Sequence, residues 1–145
     1  MTAELRFLRA ERFLTCLNES AQIEYRKSAN KGHAAAQYKY GYMLSRGLVK
    51  EANFKKGMRY IRRSAMQGYG EAILELARGY YYGFGVKRNL RRAVRAWRLG
   101  AKLKISEAEY YLGLAYFKGE GVKRNKKKAE ILFEKAKTGG FSGAI

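Results

Sequence analysis

Two glycines beside a run of basic residues form the most chemically suggestive stretch of the chain, YYYGFGVKRNLRRA at residues 80–93. A Gly-x-Gly followed by lysine and arginine invites interpretation as a phosphate-binding loop. A Walker-type loop requires G-x-x-x-x-G-K-[ST], however, and a dinucleotide fingerprint requires G-x-G-x-x-G after a strand. Neither pattern occurs here, and a helical pattern precedes Gly83 and Gly85. The stretch therefore predicts a connection between two helices rather than a nucleotide site.

Other residues able to do chemistry are few. Cys16 and His33 are the single cysteine and the single histidine, and their separation along an array of repeats argues against contact between them. One cysteine cannot build a Cys/His metal cluster, and aspartate is absent, so a Ser–His–Asp triad would need glutamate in its place. Glu71 and Glu75 share one helix face, which is better explained as a solvated surface than as an acid–base pair. We expect no enzyme activity, no cofactor and no metal site.

An internal repeat organises the chain. EAILELARGYYYGFGVKRNLRRAVRAW, from Glu71, aligns without gaps with EAEYYLGLAYFKGEGVKRNKKKAEILF, from Glu107, at an offset of 36 residues. A weaker copy begins at Ala36, a degenerate one precedes it, and Ala144 stands where another would begin, so either the protein continues or its last helix pair is left open. We predict one domain, 1–145, with a degenerate capping repeat at 1–35, in which the first 20 residues form an irregular cap, and repeats at 36–71, 72–107 and 108–143.

Each repeat shows the pattern of two helices. In the first helix, Ala72, Leu76 and Tyr80 recur at i, i+4 and i+8, on one side of a helix. Ser106 and Glu109 match the S-x-x-E capping box, which predicts Ser106 as an N-cap. Asparagine, a favoured N-cap residue, stands where each second helix should begin; these positions are Asn53, Asn89 and Asn125.

The frame A…LG..Y..G.GV..N..KA, running from Ala108 to Ala129 and repeated less fully from Ala72 and Ala36, resembles the SEL-one-like repeat (SLR) family, relatives of the tetratricopeptide repeats. Asparagine stands where that family usually has aspartate, and GLVKEAN in the first clear repeat lacks the second glycine. The resemblance implies an all-α, right-handed α-solenoid of antiparallel helix pairs, with first helices on the concave side and second helices outside. It also implies a protein-binding function without catalysis.

Projecting this geometry onto the repeat register predicts a concave surface rich in tyrosine and basic residues. Such residues are enriched at binding hot spots, although some of the tyrosines could merely fill gaps between helices. The predicted partner-binding residues are Tyr38, Tyr42, Arg46, Arg78, Tyr81, Tyr82, Tyr110, Leu114, Phe117 and Lys118. We expect them to bind an acidic protein.

The second helices carry basic residues in register. The predicted outer basic rows are Lys55, Lys56, Arg59, Arg91, Arg92, Arg95, Lys127 and Lys128. Such rows suit sequence-independent nucleic-acid binding, while a solvated outer face is the simpler interpretation.

Composition agrees with a protein-binding scaffold. The chain has 145 residues and a net charge of +19, which favours an acidic partner or reflects a compositional bias. A single cysteine, an opening unlike a signal peptide and the lack of a long apolar run favour a cytoplasmic protein. The sequence thus predicts a scaffold that serves as a bacterial adaptor or as an immunity protein neutralising a toxin. The alternatives are a nucleic-acid-associated protein or, with less support, a protein that binds an anionic membrane.

Overall fold

The computed structural model describes residues 2–11, 19–47 and 53–141, which form eight α-helices and contain no strand. The helices are α1 (Ala3–Glu11), α2 (Glu19–Asn30), α3 (Ala34–Ser45), α4 (Phe54–Met66), α5 (Gly70–Tyr82), α6 (Leu90–Lys102), α7 (Ser106–Lys118) and α8 (Lys126–Thr138). The chain divides into two compact units, Met1–Ala72 and Ile73–Ile145. Three features of the sequence lie outside the described residues: Cys16, Ala144 and most of the GLVKEAN turn.

The predicted helix starts are confirmed at all three asparagines, whose side chains cap α4, α6 and α8. Asn53 Oδ1 accepts a hydrogen bond of 3.0 Å from the backbone N–H of Lys56, and Asn89 and Asn125 do the same one repeat and two repeats later. Each cap satisfies a backbone donor that the helix itself leaves without a partner.

The capping box predicted at Ser106 is wrong. Helix α7 already includes Ser106, its N-cap is Ile105, and no side chain caps it. Ser106 Oγ lies instead against Gly139, at the end of α8, where an added Cβ would clash with it. Helix α7 begins in register with α3 and α5, which start at Ala34 and Gly70, so the start of the helix follows the repeat and not the local S-x-x-E pattern.

The glycines of the opening motif form the turn between two helices, as predicted. Helix α5 ends at Tyr82, Gly83 and Gly85 have φ of +80° and +70°, and the backbone N–H of Asn89 donates to the Tyr80 carbonyl at 2.8 Å. Glycine adopts this left-handed conformation without the steric cost that a Cβ imposes. The turn thus returns the chain antiparallel to α5, and no loop is left open around an anion.

In the unit Met1–Ala72, α3 and α4 form an antiparallel pair in close contact. A Cβ placed on Gly41 would lie 2.7 Å from the Gly57 carbonyl oxygen, while at the other end of the pair Ser64 Oγ donates to the Ala34 carbonyl at 2.7 Å. Beneath this pair lies a core cluster that α2 also contributes to; it consists of Tyr25, Ala29, Ala36, Tyr40, Met43, Leu44 and Tyr60.

The start of the chain is helical rather than irregular, contrary to the sequence expectation. In α1, Phe7 packs edge-on against Tyr25 with ring centroids 6.0 Å apart, and Arg6 forms a 3.0 Å ion pair with Glu24. These contacts join α1 to α2, so Ala3–Glu11 extends the array of helices.

In the unit Ile73–Ile145, the antiparallel pairs α5/α6 and α7/α8 repeat the same plan. The side chains of Ile73, Leu76, Val94 and Leu112 are buried. Gly100, near the end of α6, faces Ala108 of α7 and Ile73 of α5. The last four helices therefore share one core.

Candidate functional site

An aromatic cluster runs through the unit Ile73–Ile145. Its nine rings form a continuous series of contacts with centroid separations between 4.9 and 6.5 Å. The members of the aromatic cluster are Tyr81, Tyr82, Phe84, Trp97, Tyr110, Tyr111, Phe117, Phe133 and Phe141. Four of them belong to the predicted partner-binding set.

The aromatic cluster combines a buried base with exposed rings. Trp97 is only 8% exposed and stacks on Tyr111 at 5.6 Å. Tyr82, Phe84 and Phe117 are 59%, 50% and 43% exposed. Exposed rings that already pack against half-buried rings lose less side-chain entropy when a partner covers them, a property that suits a binding hot spot.

Tyr81 connects the two repeats of this unit rather than pointing freely to solvent. Its hydroxyl donates to Glu120 Oε2 at 2.9 Å, and its carbonyl accepts from Arg88 Nε at 3.0 Å. The hydrogen bond to the Glu120 carboxylate, with burial second, raises the pKa of the Tyr81 phenol above its usual value. Tyr81 therefore positions its neighbours in the aromatic cluster.

Tyr111 was not among the predicted site residues, although it links Trp97 to the rest of the cluster. Burial, followed by the charge of Glu107, raises the pKa of Tyr111. Phe84 was also missed; it lies between the two turn glycines, where the next repeat has Glu120. An aromatic residue in an otherwise polar turn was the available signal for Phe84, whereas Tyr111 lies off the repeating stripe and gave none.

The two predicted cations next to the aromatic cluster each have a carboxylate nearby. Arg78 Nη1 lies 3.9 Å from Glu75 Oε1, and Lys118 Nζ lies 3.9 Å from Glu120 Oε1. The Arg78 and Lys118 side chains are nevertheless 54% and 53% exposed. The surface thus carries both signs of charge, with the cations partly available to a partner.

The other predicted residues of this unit are partly buried. Leu114 is half-buried, and Tyr110 packs against Phe133 at 5.7 Å and Phe141 at 5.1 Å. Tyr110 therefore contributes more to packing than to exposed surface.

In the unit Met1–Ala72, the predicted residues form a smaller aromatic group. Tyr38 packs against Tyr42 at 5.9 Å and Tyr69 at 5.5 Å, and the Arg46 guanidinium lies 5.0 Å from the Tyr42 ring centroid. Both Tyr38 and Tyr42 are half-buried, while Arg46 is exposed.

The residues of the outer basic rows are exposed, except for Lys56, which is half-buried. Within the described ranges, none of these eight side chains forms an ion pair with a carboxylate. Arg92 lies 5.7 Å from the Tyr80 ring centroid and Lys128 lies 5.4 Å from that of Tyr116. These two cations lie over a buried tyrosine and a half-buried one, a structural role that the sequence pattern did not reveal.

His33 has a structural role. Its Nδ1 accepts a hydrogen bond from the backbone N–H of Ala36 at 3.2 Å, so it is the N-cap of α3, and its ring lies 5.1 Å from that of Phe7. Ile105 holds the same N-cap position in α7.

Residues 2–11, 19–47 and 53–141 contain no group of three or more potential metal-ligating side chains. None of the helices in these ranges has the length and apolar character needed to cross a bilayer.

Comparison with known proteins gives one family match and several structural matches. The Sel1 repeat model matches residues 34–69, 70–104 and 106–141. No curated protein matches the chain.

Three of the similar solved structures are bacterial. A protective antigen of uropathogenic Escherichia coli with an SLR fold has a TM-score of 0.90 and 26% identity, over 98% of this chain and 32% of that one. A Sel1 repeat protein from Oxalobacter formigenes has a TM-score of 0.85 and 27% identity, over 98% and 59%. Helicobacter pylori cysteine rich protein B has a TM-score of 0.65 and 25% identity, over 85% and 93%.

The chain thus spans about a third of the first of these structures and about three-fifths of the second. The matches confirm the predicted fold class, the all-α helical-repeat fold of the SLR solenoids.

Proposed function

Because the chain belongs to the Sel1 repeat family, we propose that it is a non-catalytic scaffold that binds a protein partner through the exposed rings of the aromatic cluster. Sel1 repeats are generally protein–protein interaction modules. What is specific to this chain is the surface that binds and the chemistry of its partner.

The observation that carries the proposal is the exposure of Tyr82, Phe84 and Phe117 on a packed aromatic base. Tyr82 and Phe84 contact each other at 5.7 Å, and Phe117 joins the same cluster through Phe133 at 6.5 Å. Exposed apolar patches of this kind mark interaction sites on soluble proteins. A partner that covers Tyr82 and Phe117 gains their apolar area at a reduced entropic cost, since each ring already packs on a half-buried ring, Tyr81 or Phe133.

The proposed partner is an acidic protein with apolar side chains in its contact region. The charge of +19 accelerates its approach over distances at which individual ion pairs do not act. At contact, Arg78 and Lys118 provide cations that exchange their 3.9 Å carboxylate neighbours for those of the partner. The aromatic cluster then supplies most of the affinity, and the cations supply rate and orientation.

The proposed biological role is that of an adaptor, or of an immunity protein that holds a toxin in an inactive complex. Both roles require a preformed surface that a partner can cover without a large rearrangement. The contact of Tyr82 with Tyr81 and Phe84, at 4.9 and 5.7 Å, supplies such a surface.

Affinity capture with substituted proteins tests this proposal. We expect Tyr82→Ala and Phe117→Ala each to weaken binding by about 2 kcal/mol, roughly 30-fold in Kd. Met66→Ala is the matched control, because Met66 is 71% exposed and lies outside the aromatic cluster. A partner that binds both cluster variants as tightly as the wild type would remove this surface from consideration.

A second candidate function is sequence-independent binding of nucleic acid through the outer basic rows. It is favoured by the exposure of Arg91 and Arg95 and by the lack of a carboxylate paired with them among the described residues. Phosphate binding of this kind weakens steeply with salt, by about 10³-fold or more between roughly 50 and 200 mM for six or more contacts.

A mobility-shift titration with double-stranded DNA separates the two functions. If the rows bind phosphate, Arg91→Glu with Arg95→Glu should abolish the shift, while the same charge change at Arg78 and Lys118 should have a smaller effect. Equal effects of the two pairs would show that only the total charge matters, and no shift at low salt would exclude this function.

A further inference from the structure

A groove of about 820 Å³ lies where the end of α6, the start of α7 and the length of α8 meet. Its walls contain Lys102 and Lys104 from the end of α6, Glu109 from α7, and Ile131 and Glu134 from α8. This groove lies outside the aromatic cluster, and none of its lining residues belongs to the predicted partner-binding set.

The third repeat differs from the others at the positions that form this groove. The residue equivalent to Glu109 is glutamine in the first repeat and isoleucine in the second. The residue equivalent to Gly139 is glutamine in the first repeat and leucine in the second. On α8, Ile131 and Glu134 stand where both earlier repeats have arginine. Four departures from the repeat thus line one space.

The first repeat shows how a polar side chain is held at the position of Glu109. Gln37 is 5% exposed; its Nε2 donates to the Ala29 carbonyl at 3.2 Å, and its Oε1 accepts from Gln67 Nε2 at 2.8 Å. In the third repeat the residue corresponding to Gln67 is Gly139, which has no side chain to offer. The side-chain partner of the buried amide is therefore lost, and the groove occupies its place.

Glu109 consequently faces the groove without a donor. It is 7% exposed, and no described residue donates a hydrogen bond to its carboxylate or forms an ion pair with it. At the wall of the groove the charge of Glu109 is screened by solvent less than a charge on an open surface. A cationic group that enters the groove therefore gains a charge-assisted hydrogen bond there.

The surroundings of Glu109 define the cation that fits. Ile131 is 53% exposed and offers an apolar contact for an aliphatic stem, while Glu134 provides a second carboxylate at the surface. An arginine side chain matches both, since its planar guanidinium can bind carboxylates with paired hydrogen bonds and its stem packs on apolar surface. Lys102, Lys104 and Lys135 at the groove favour acidic residues on either side of that arginine.

We infer that this groove is a second binding site of the chain, which accepts a partner peptide by inserting one arginine toward Glu109 while flanking acidic residues pair with the lysines. The site is independent of the aromatic cluster, so the chain can hold two partners or two segments of one partner.

The probe is the peptide acetyl-Glu-Leu-Arg-Leu-Glu-amide, and its control carries citrulline, a neutral isostere, in place of arginine. We expect the arginine peptide to shift the backbone NMR signals of Glu109, Ile131 and Thr138 in a ¹⁵N-labelled sample. The citrulline peptide should bind about tenfold or more weakly, because it cannot pair with the carboxylate.

Three variants of the protein complete the test. Glu109→Gln keeps the shape of the side chain and should reduce affinity for the arginine peptide by about tenfold. Glu130→Gln is the matched control, since Glu130 is exposed on α8 and does not line the groove. Ile131→Arg, which restores the residue of the earlier repeats at an exposed position, should block the groove and leave the fold intact.

Three results would overturn the inference. The first is that the citrulline peptide binds as tightly as the arginine peptide. The second is that the NMR shifts map to the outer basic rows and persist in Glu109→Gln, as expected for a peptide held only by its own glutamates. The third is that the groove signals respond to protein concentration and not to the peptide, which would identify a second copy of the chain as the occupant.

Discussion

Lys104 is the one non-glycine residue with a positive φ among the described residues, at +62°. The same position of the repeat is glycine at Gly32, Gly68 and Gly140, with φ of +92°, +85° and +94°. It follows the C-terminus of each second helix, where the chain must turn into the next repeat. The left-handed conformation brings a Cβ too close to the following carbonyl, so lysine at this position is strained.

The substitution Lys104→Gly should therefore stabilise the protein. Relief of the strained left-handed conformation raises the free energy of unfolding by about 1–2 kcal/mol. The greater freedom of glycine in the unfolded chain lowers it by about 0.5–1 kcal/mol. The net gain is about 0.5–1 kcal/mol, because the exposed lysine side chain forms no hydrogen bond or ion pair with any described residue that the substitution would break.

Urea unfolding followed by circular dichroism at 222 nm measures this gain. With an m-value of about 2 kcal/mol/M, the midpoint should rise by roughly 0.3–0.5 M. The reciprocal change, Gly32→Lys, is the control, because a Cβ at Gly32 would meet no atom within 4 Å and only the backbone strain is added. That variant should lose stability. A Lys104→Gly midpoint at or below the wild-type value, or an unchanged Gly32→Lys midpoint, would refute the reasoning.

Three further predictions concern the caps, the helix contact and the tyrosine bridge. Asn89→Ala removes the cap of α6 and should cost about 1 kcal/mol in urea unfolding, whereas Asn89→Asp should retain most of the stability. Gly41→Ala places a Cβ 2.7 Å from the Gly57 carbonyl oxygen, so it should cost about 1–3 kcal/mol, measured as a lower Tm. The pKa of Tyr81 is raised in the folded protein, chiefly by its hydrogen bond to Glu120. The stabilisation from this bond is therefore fully present below the unfolded tyrosine pKa of about 10, and it is lost as the pH rises through the folded pKa. Tyr81→Phe should remove this alkaline loss, and Glu120→Gln should lower the Tyr81 pKa in an NMR titration of the tyrosine ring carbons; an unmoved Tyr81 pKa would contradict the assigned cause.

The repeat made much of the fold accessible from the sequence. The turn glycines and the three asparagine caps were predicted correctly, because caps and turns depend on a few adjacent residues whose backbone preferences are strong. The cap at Ser106 failed for the opposite reason. Helix α7 starts at Ser106 itself, in register with the starts of α3 and α5, so the position of the helix in the repeat decided the cap and the local S-x-x-E pattern did not.

The candidate sites were predictable only in outline. Tyr82 and Phe117 were expected on the binding surface and are exposed, but the sequence did not reveal that Tyr81 would be held by Glu120 or that Tyr111 would stack on Trp97. Periodicity assigns a residue to a helix face, whereas the partner of its side chain depends on the distance and rotation between two helices.

The amino-acid sequence by itself determined the repeat, the helix boundaries marked by asparagine, and the charge of +19. These features follow from local propensity and from counting. Only the tertiary structure decided which rings remain exposed, that Arg92 and Lys128 lie over Tyr80 and Tyr116, and that Glu109 and Gly139 line one groove. The physical reason is that exposure and pairing are properties of the space between elements, and residues far apart in the chain jointly define that space.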